Sequence, residues 1–166
     1  LMVVISKRDG KYFYQSYSKG VPHHPVAEIE PEKIQLICPT QSASLLTNDT
    51  GTLVHFVPDK SIFSVIEFSL EKLVQILKDR AYLMAGIYFT LSDHTTDLEK
   101  HFYFENGIKS LVQHLNIGKE VLHDVFYASD NWQDEQSKMQ IGVELALQYN
   151  DSYRETVDSF VNVINT

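Results

Sequence analysis

The fold is decided by two neighbouring stretches, Ile141-Gly-Val-Glu-Leu-Ala-Leu-Gln-Tyr-Asn-Asp-Ser-Tyr153 and Ser159-Phe-Val-Asn-Val-Ile-Asn-Thr166. In the first stretch, apolar Val143, Leu145 and Leu147 occupy alternate positions, which is the period of a half-buried strand. After a turn cluster at 150–152, residues 157–164 carry apolar side chains on both faces, which predicts a strand that is covered on both sides. The pattern alone therefore predicts an antiparallel pair of strands in an α+β domain.

The composition is acidic. The 166 residues include 22 Asp and Glu against 14 Lys and Arg, a net charge of -8. This argues against a surface that wraps DNA through bulk charge, because such a surface needs clustered Lys and Arg. The single cysteine, Cys38, excludes an internal disulfide and fits a reducing cytoplasm. No apolar run reaches the roughly 20 residues that span a bilayer, and the start of the chain lacks the features of a signal peptide. We expect a cytoplasmic protein without a membrane segment.

The first part of the chain predicts a β-hairpin. The β-rich residues 2–8 and 11–18 flank Asp9-Gly10, a pair that is typical of two-residue turns. Pro22 and Pro25 then end the pairing, because proline has no N–H to donate. A strand pattern is already under way at the first residue, so we expect the chain to be part of a longer protein.

Residues 26–49 give the weakest pattern. Pro31, Pro39 and the polar run at 40–44 alternate with short apolar pieces, so we expect a loop-rich, partly mobile segment with one short strand. The next stretch, Thr50-Gly-Thr-Leu-Val-His-Phe-Val-Pro-Asp59, has a β-rich centre between a turn and a proline stop, which predicts a strand.

Residues 69–84 predict a helix. Apolar residues recur three and four positions apart, at Leu70, Leu73, Val74, Leu77, Ala81 and Met84. Ser69 is a suitable N-cap, and Gly86 stands where a helix ends.

Beyond this helix, residues 87–91 and 100–104 predict two strands around a turn at 93–97. Residues 108–115 predict a short amphipathic helix, and residues 121–128 a further strand. Residues 129–137 predict a polar hairpin loop that contains the only tryptophan, Trp132, which either marks a contact surface or folds back over its own hairpin.

Catalytic motifs are scarce. The sequence contains no P-loop, Rossmann glycine pattern or HExxH motif. Adjacent His23 and His24 point apart on an extended chain, so they make a poor metal site. Cys38 has no basic sequence neighbour that would stabilise a thiolate, and Asp93 and Asp97 are typical of a solvated turn. The residues alone predict no hydrolytic site.

Several motifs resemble one family. Two motifs resemble the transducer region of the B subunits of bacterial type IIA DNA topoisomerases, DNA gyrase and topoisomerase IV. They are Val143-Glu-Leu-Ala-Leu-Gln-Tyr-Asn-Asp151 and Ser159–Thr166. The family usually has Asn at the position of Val163. The hairpin that ends in Gly20-Val-Pro-His-His-Pro25 and the strand at Thr50–Asp59 resemble the ATPase domain of the same subunits. The first of these two motifs favours gyrase.

The resemblance implies a fold and two site residues. It implies an α+β chain in which residues 1–106 are the C-terminal half of a GHKL-type (Bergerat) ATPase sandwich. Residues 107–166 are then part of a ribosomal-protein-S5-like transducer. It also implies that Thr52 and Val54 line the adenine pocket, because they match the family's nucleotide-contacting threonine and the valine two residues on. A threonine hydroxyl can both donate and accept, as a water shared with an adenine amino group requires. From the residues alone, an ordinary strand threonine is the favoured interpretation of Thr52, and only the resemblance favours the pocket.

The resemblance further implies what the intact protein does. It implies binding and hydrolysis of ATP with Mg²⁺, closure of a B-subunit dimer around DNA, strand passage with the topoisomerase A subunit, and sensitivity to aminocoumarins. The family's general base, Mg²⁺ ligand and ATP lid have no counterpart in this chain, so we expect no catalytic or metal-binding residue in it and little ATPase activity from it alone. Two alternatives stay open: a topoisomerase IV subunit, and a non-catalytic binding module with the S5-like fold.

Overall fold

The computed structural model describes residues 1–39, 42–135 and 138–166, which fold into two compact units, Leu1–Glu67 and Phe68–Thr166. Each unit combines strands and helices, so the predicted α+β class is confirmed. The domain boundary predicted at residue 106 lies inside the second unit and stays a prediction. None of the helices among the described residues has both the length and the apolar character that crossing a membrane requires.

The first unit is built on a five-stranded antiparallel sheet. Its strands are β1 (Met2–Arg8), β2 (Lys11–Ser18), β3 (Val21–Pro22), β4 (Ala27–Ile29) and β5 (Gly51–Phe56). Strand β1 lies between β2 and β5, and the two short strands β3 and β4 both pair with β2. The predicted hairpin is confirmed at the predicted residues. Its turn residues Asp9 and Gly10 have φ of 52° and 75°, as a type I′ turn requires.

Two short helices cover one face of this sheet, so the expectation of a loop-rich segment at residues 26–49 is wrong. They are α1 (Pro31–Ile37) and α2 (Ser42–Thr47), and the one expected strand is present as β4. Pro31 stands in the first turn of α1, where its missing N–H sacrifices no hydrogen bond. The helices and sheet share a core that consists of Val3, Ile5, Tyr12, Ile34, Cys38, Leu45 and Leu53. Thr40 and Gln41 of the predicted polar run lie outside the described residues.

The second unit begins with the predicted helix. It is α3 (Leu70–Leu83), and the Ser69 hydroxyl caps it by accepting a hydrogen bond from the Lys72 backbone N–H at 3.4 Å. The two strands predicted next are confirmed as the hairpin of β6 (Phe89–Asp93) and β7 (Leu98–Phe102). The predicted short helix is α4 (Ile108–Leu115).

The prediction for the last two strands is partly wrong. The strand around Leu145 is confirmed as β9 (Gln140–Leu147), but it pairs with β8 (Phe126–Gln133) rather than with residues 157–164. Residues 157–164 contain only β10 (Phe160–Val161) and the start of β11 (Ile164–Asn165). Between these strands Asn162 and Val163 have φ of 48° and 64°, and a left-handed backbone interrupts an extended strand. The two faces are not both covered either, because Val157, Val161 and Ile164 are exposed.

Trp132 also lies elsewhere than predicted. The strand expected at residues 121–128 begins only at Phe126 and runs on to Gln133, so Trp132 belongs to β8 and not to a loop. Its side chain is exposed, and its cross-strand partner is Ile141. Gln136 and Ser137 of the predicted loop lie outside the described residues.

Candidate functional site

The two residues expected at the adenine pocket lie on one face of β5. Side chains alternate along a strand, so Leu53 points the opposite way from Thr52 and Val54. Leu53 is 9% exposed and belongs to the core beneath α1 and α2, whereas Val54 is 53% exposed. Thr52 is exposed as well. The structure therefore brings Thr52 and Val54 together on the side of the sheet that the two helices leave uncovered.

The sheet register adds four neighbours to this side. Cross-strand partners share a face, and the partners of Thr52 and Val54 are Ser6 and Val4 on β1, followed by Phe13 and Gln15 on β2. We call the surface formed by Val4, Ser6, Phe13, Gln15, Thr52 and Val54 the open face. It combines apolar side chains with two hydroxyls and one amide.

The polar groups of the open face differ in how they are engaged. Gln15 donates from Nε2 to the His24 carbonyl at 2.9 Å and accepts a hydrogen bond from the Tyr17 hydroxyl. The Thr52 hydroxyl has no side-chain or backbone partner among the described residues. An exposed hydroxyl beside apolar side chains can contact a planar group that is apolar on its faces and polar at its edge.

Sequence reasoning did not name the four neighbours. The Asp9-Gly10 turn fixes the register between β1 and β2, so it could have placed Phe13 opposite Ser6. The pairing of β1 with β5 carries no such signal, because the poorly patterned residues 26–49 separate the two strands.

The open face borders a depression of about 310 Å³ at the start of β5. The end of α2 and the first residues of β5 line it, namely Ser44, Leu45, Asn48, Thr50, Gly51, Thr52 and Leu53. The helix that covers the opposite side of the sheet therefore reaches the strand that carries Thr52.

A second cavity, of about 330 Å³, lies in the second unit among α3, α4 and the residues from Asp158 onward. Its basic groups are engaged by the protein. Lys78 Nζ lies 2.8 Å from His114 Nε2, and the Arg80 guanidinium donates to the Val163 carbonyl. Burial, and then the charge of Asp79, raise the pKa of Tyr82 in its wall. Lys78 and Arg80 are therefore already engaged by protein groups in this cavity.

The other candidate residues do not form a site. His23 contacts the Ser16 hydroxyl at 3.1 Å, whereas His24 stacks on Tyr14, so the two imidazoles do not converge. Within residues 1–39, 42–135 and 138–166, no group of three His, Cys, Asp or Glu side chains could hold a metal ion. Burial raises the pKa of Cys38, which is the opposite of thiolate activation.

Asp93 has a structural role, because its carboxylate is hydrogen-bonded within its own turn. It accepts hydrogen bonds from the Thr95 hydroxyl and backbone N–H and from the Thr96 hydroxyl, and these bonds lower its pKa to about 2. The carboxylate therefore stabilises the turn between β6 and β7.

Several known proteins are similar to this chain. A family model described as DNA gyrase B matches residues 107–166. The B subunit of DNA gyrase from Archaeoglobus fulgidus is 37% identical over 160 residues, which is 96% of this chain and 23% of that protein. The B subunit of DNA topoisomerase 4 from Bacillus subtilis is 34% identical over 165 residues, which is 99% of this chain and 22% of that protein.

This chain belongs to the family of DNA gyrase and topoisomerase IV B subunits. The resemblance stated from its motifs is thereby confirmed. The chain spans less than a quarter of the length of these two family members.

Solved structures of the gyrase B family share the fold. The 43K ATPase domain of Thermus thermophilus gyrase B, in complex with an aminocoumarin, matches with a TM-score of 0.75 and 24% identity over 99% of this chain and 40% of that chain. The B-subunit of the DNA gyrase from Myxococcus xanthus matches with a TM-score of 0.77 and 22% identity, over 99% of this chain and 43% of that chain. These likenesses show that the α+β fold of this chain is shared with these gyrase B structures.

Proposed function

We propose that this chain forms one wall of the nucleotide pocket and the first part of the transducer in the ATP-hydrolysing B subunit of a gyrase-type DNA topoisomerase. The observation that carries the proposal is the placement of Thr52 and Val54 on the open face, with the Thr52 hydroxyl free of protein partners among the described residues. In this proposal residues 1–106 belong to the ATPase domain and residues 107–166 to the transducer.

The open face suits an adenine ring. Val4 and Val54 are cross-strand partners that offer an apolar surface to the face of the base. Thr52 supplies a hydroxyl that can bind the amino edge of the base directly or through a shared water. The same pocket is our proposed site for aminocoumarins, because the similar Thermus thermophilus domain was solved in complex with one.

The described residues offer no set of side chains for Mg²⁺. Bound Mg²⁺ would neutralise charge on the nucleotide phosphates. We place its ligands elsewhere in the protein and route no step through this chain. For the same reason we propose that the chain alone has little ATPase activity.

The remaining partners follow from the proposed role. ATP binding closes a dimer of B subunits around a DNA segment, and the topoisomerase A subunit cleaves the DNA through which that segment passes. The net charge of -8 fits a chain that transmits closure rather than one that wraps DNA. We propose that the protein acts in the cytoplasm.

The proposal is tested with the protein that the complete gene encodes, combined with its A subunit. The expected result is ATP-dependent negative supercoiling of relaxed plasmid. ATP-dependent decatenation without supercoiling would instead favour topoisomerase IV. Neither activity, together with an absence of nucleotide binding, would favour a non-catalytic S5-like module.

A further inference from the structure

The segment between β4 and β5 touches the nucleotide-facing strand at its first residue. A Cβ atom built on Gly51 would lie 2.9 Å from Leu45 Cδ1 of α2, which is closer than Cβ atoms approach neighbouring carbons. The atom that it would meet is the end of the Leu45 side chain, which is 5% exposed and packs in the same core as Leu53, so either Leu45 or the strand would have to shift. The absence of a side chain at Gly51 therefore allows Leu45 of α2 to pack directly against the start of β5.

A lysine fixes the same helix from the neighbouring strand. Lys7 of β1 is the cross-strand partner of Gly51, and its Nζ donates to the Leu46 carbonyl at 3.0 Å. That carbonyl lies in the last turn of α2, where helix carbonyls lack intrahelical partners. The Lys7 ammonium also lies 5.2 Å from the ring centroid of Tyr12, which limits its movement. The packing of Leu45 against Gly51 and the hydrogen bond from Lys7 to Leu46 therefore both hold α2 against the start of β5.

Thr52 follows Gly51 directly, so any displacement of the backbone at Gly51 moves Thr52 as well. Hydrogen bonds weaken when their geometry departs from a narrow range, so a shift of the strand end changes how well the Thr52 hydroxyl meets a bound base. The open face and α2 lie on opposite sides of the sheet, and the start of β5 connects them.

We propose that α2 is a positioning element for nucleotide binding, in which Leu45 against Gly51 and Lys7 on Leu46 set the position of Thr52 in the adenine pocket. This inference rests on the proposed function, since it assumes that Thr52 faces the base. Leu45, Gly51 and Lys7 are positioning residues that do not touch the nucleotide. Helix α2 thereby sets purine affinity from the far side of the sheet.

The test is a double-mutant cycle in the protein that the complete gene encodes, using Gly51→Ala, Leu45→Ala and the double variant. The readouts are the Kd for a non-hydrolysable ATP analogue and the preference for ATP over GTP, which differ at the edge of the base that Thr52 is proposed to contact. We expect Gly51→Ala to weaken binding about fivefold and to reduce the purine preference, and Leu45→Ala in the same molecule to restore both to within about twofold.

The rescue separates positioning from stability. Leu45→Ala removes buried methyl groups and lowers the unfolding midpoint, so the double variant should be less stable than the wild type while it binds nucleotide almost as well. Gly142→Ala is the matched control. Gly142 is also an extended-strand glycine, and its Cβ would meet Asn131 Oδ1 at 3.0 Å in the second unit. It should leave the Kd and the purine preference unchanged.

Three results would overturn the inference while leaving the proposed function intact. One is an unchanged Kd for Gly51→Ala in a protein that Thr52→Val weakens. Another is a double variant whose loss of nucleotide affinity equals the product of the losses in the two single variants, because Leu45 would then not mediate the effect.

If Gly51→Ala does not fold, Lys7→Met removes the contact with Leu46 and keeps the apolar stem. Lys7→Met should weaken binding about twofold to threefold, and an unchanged Kd and purine preference in both Lys7→Met and Leu45→Ala would be the third result. Failure of Thr52→Val to affect binding would instead overturn the proposed function.

Discussion

Thr52 and Val54 share the exposed face of β5, while Leu53 between them is buried beneath α1 and α2. One set of β5 side chains thus packs in the core, and the other set faces the proposed nucleotide pocket. Only residues an even number of positions apart can share a face in this way. Substitutions at Leu53 should therefore act on stability, and substitutions at Thr52 or Val54 on ligand binding.

Helix α1 offers a matched pair for testing the corrected structure of residues 26–49. Ile34 is 0% exposed and Leu36 is 83% exposed on the same helix. We expect Ile34→Ala to lower the free energy of unfolding of the first unit by about 2–4 kcal/mol, because it leaves a cavity in the core. Leu36→Ala should change it by less than about 0.5 kcal/mol. Hydrogen exchange of the β1 and β5 amides measures both. Equal, small effects would mean that α1 does not pack on the sheet.

Deletion of a single oxygen atom removes the N-cap of α3. Ser69→Ala deletes the hydroxyl that accepts from the Lys72 N–H, and we expect α3 to lose about 0.5–1 kcal/mol of local stability. Faster hydrogen exchange of the Lys72 and Leu73 amides would show the loss. Ser129→Ala, at an exposed strand position, is the control and should leave these amides unchanged. Equal exchange rates in both variants would argue against the cap.

Asp93 has a pKa of about 2, below its usual 3.8, because Thr95 and Thr96 donate to its carboxylate. A pKa lowered by folding means that the ionised form favours the folded turn. The stabilisation is complete above the unfolded value near 3.8 and is lost as the pH falls toward 2. A carboxyl ¹³C titration by NMR should give a pKa near 2 for Asp93, and Thr95→Val should raise it. A pKa unchanged by Thr95→Val would contradict these hydrogen bonds.

Local rules predicted much of the fold. The Asp9-Gly10 pair predicted the first hairpin to the residue, because its positive φ values and two-residue length leave one register. Ser69 and the apolar stripe predicted α3 for a similarly local reason. The placement of Thr52 and Val54 on one face followed from strand alternation once β5 was recognised, although their assignment to a nucleotide pocket came from the family resemblance.

Non-local contacts account for what the sequence did not predict. Helices α1 and α2 have only 7 and 6 residues, so they depend on burial of Ile34 and Leu45 against the sheet rather than on helical periodicity. The left-handed backbone at Asn162 and Val163 interrupts a run whose alternation predicted one long strand. Asparagine is a residue type that favours this conformation, but the β-branched Val163 gives no such signal.

The proposed contact between Thr52 and adenine is tested most directly by calorimetric titration of a non-hydrolysable ATP analogue into the protein that the complete gene encodes. Thr52→Val removes the hydroxyl and keeps the shape, and Thr90→Val makes the same change at an exposed strand position of the second unit. We predict that Thr52→Val weakens binding about threefold to tenfold, as loss of one hydrogen bond implies, and that Thr90→Val binds like the wild type. The same Kd for all three proteins would contradict the placement of the nucleotide on the open face.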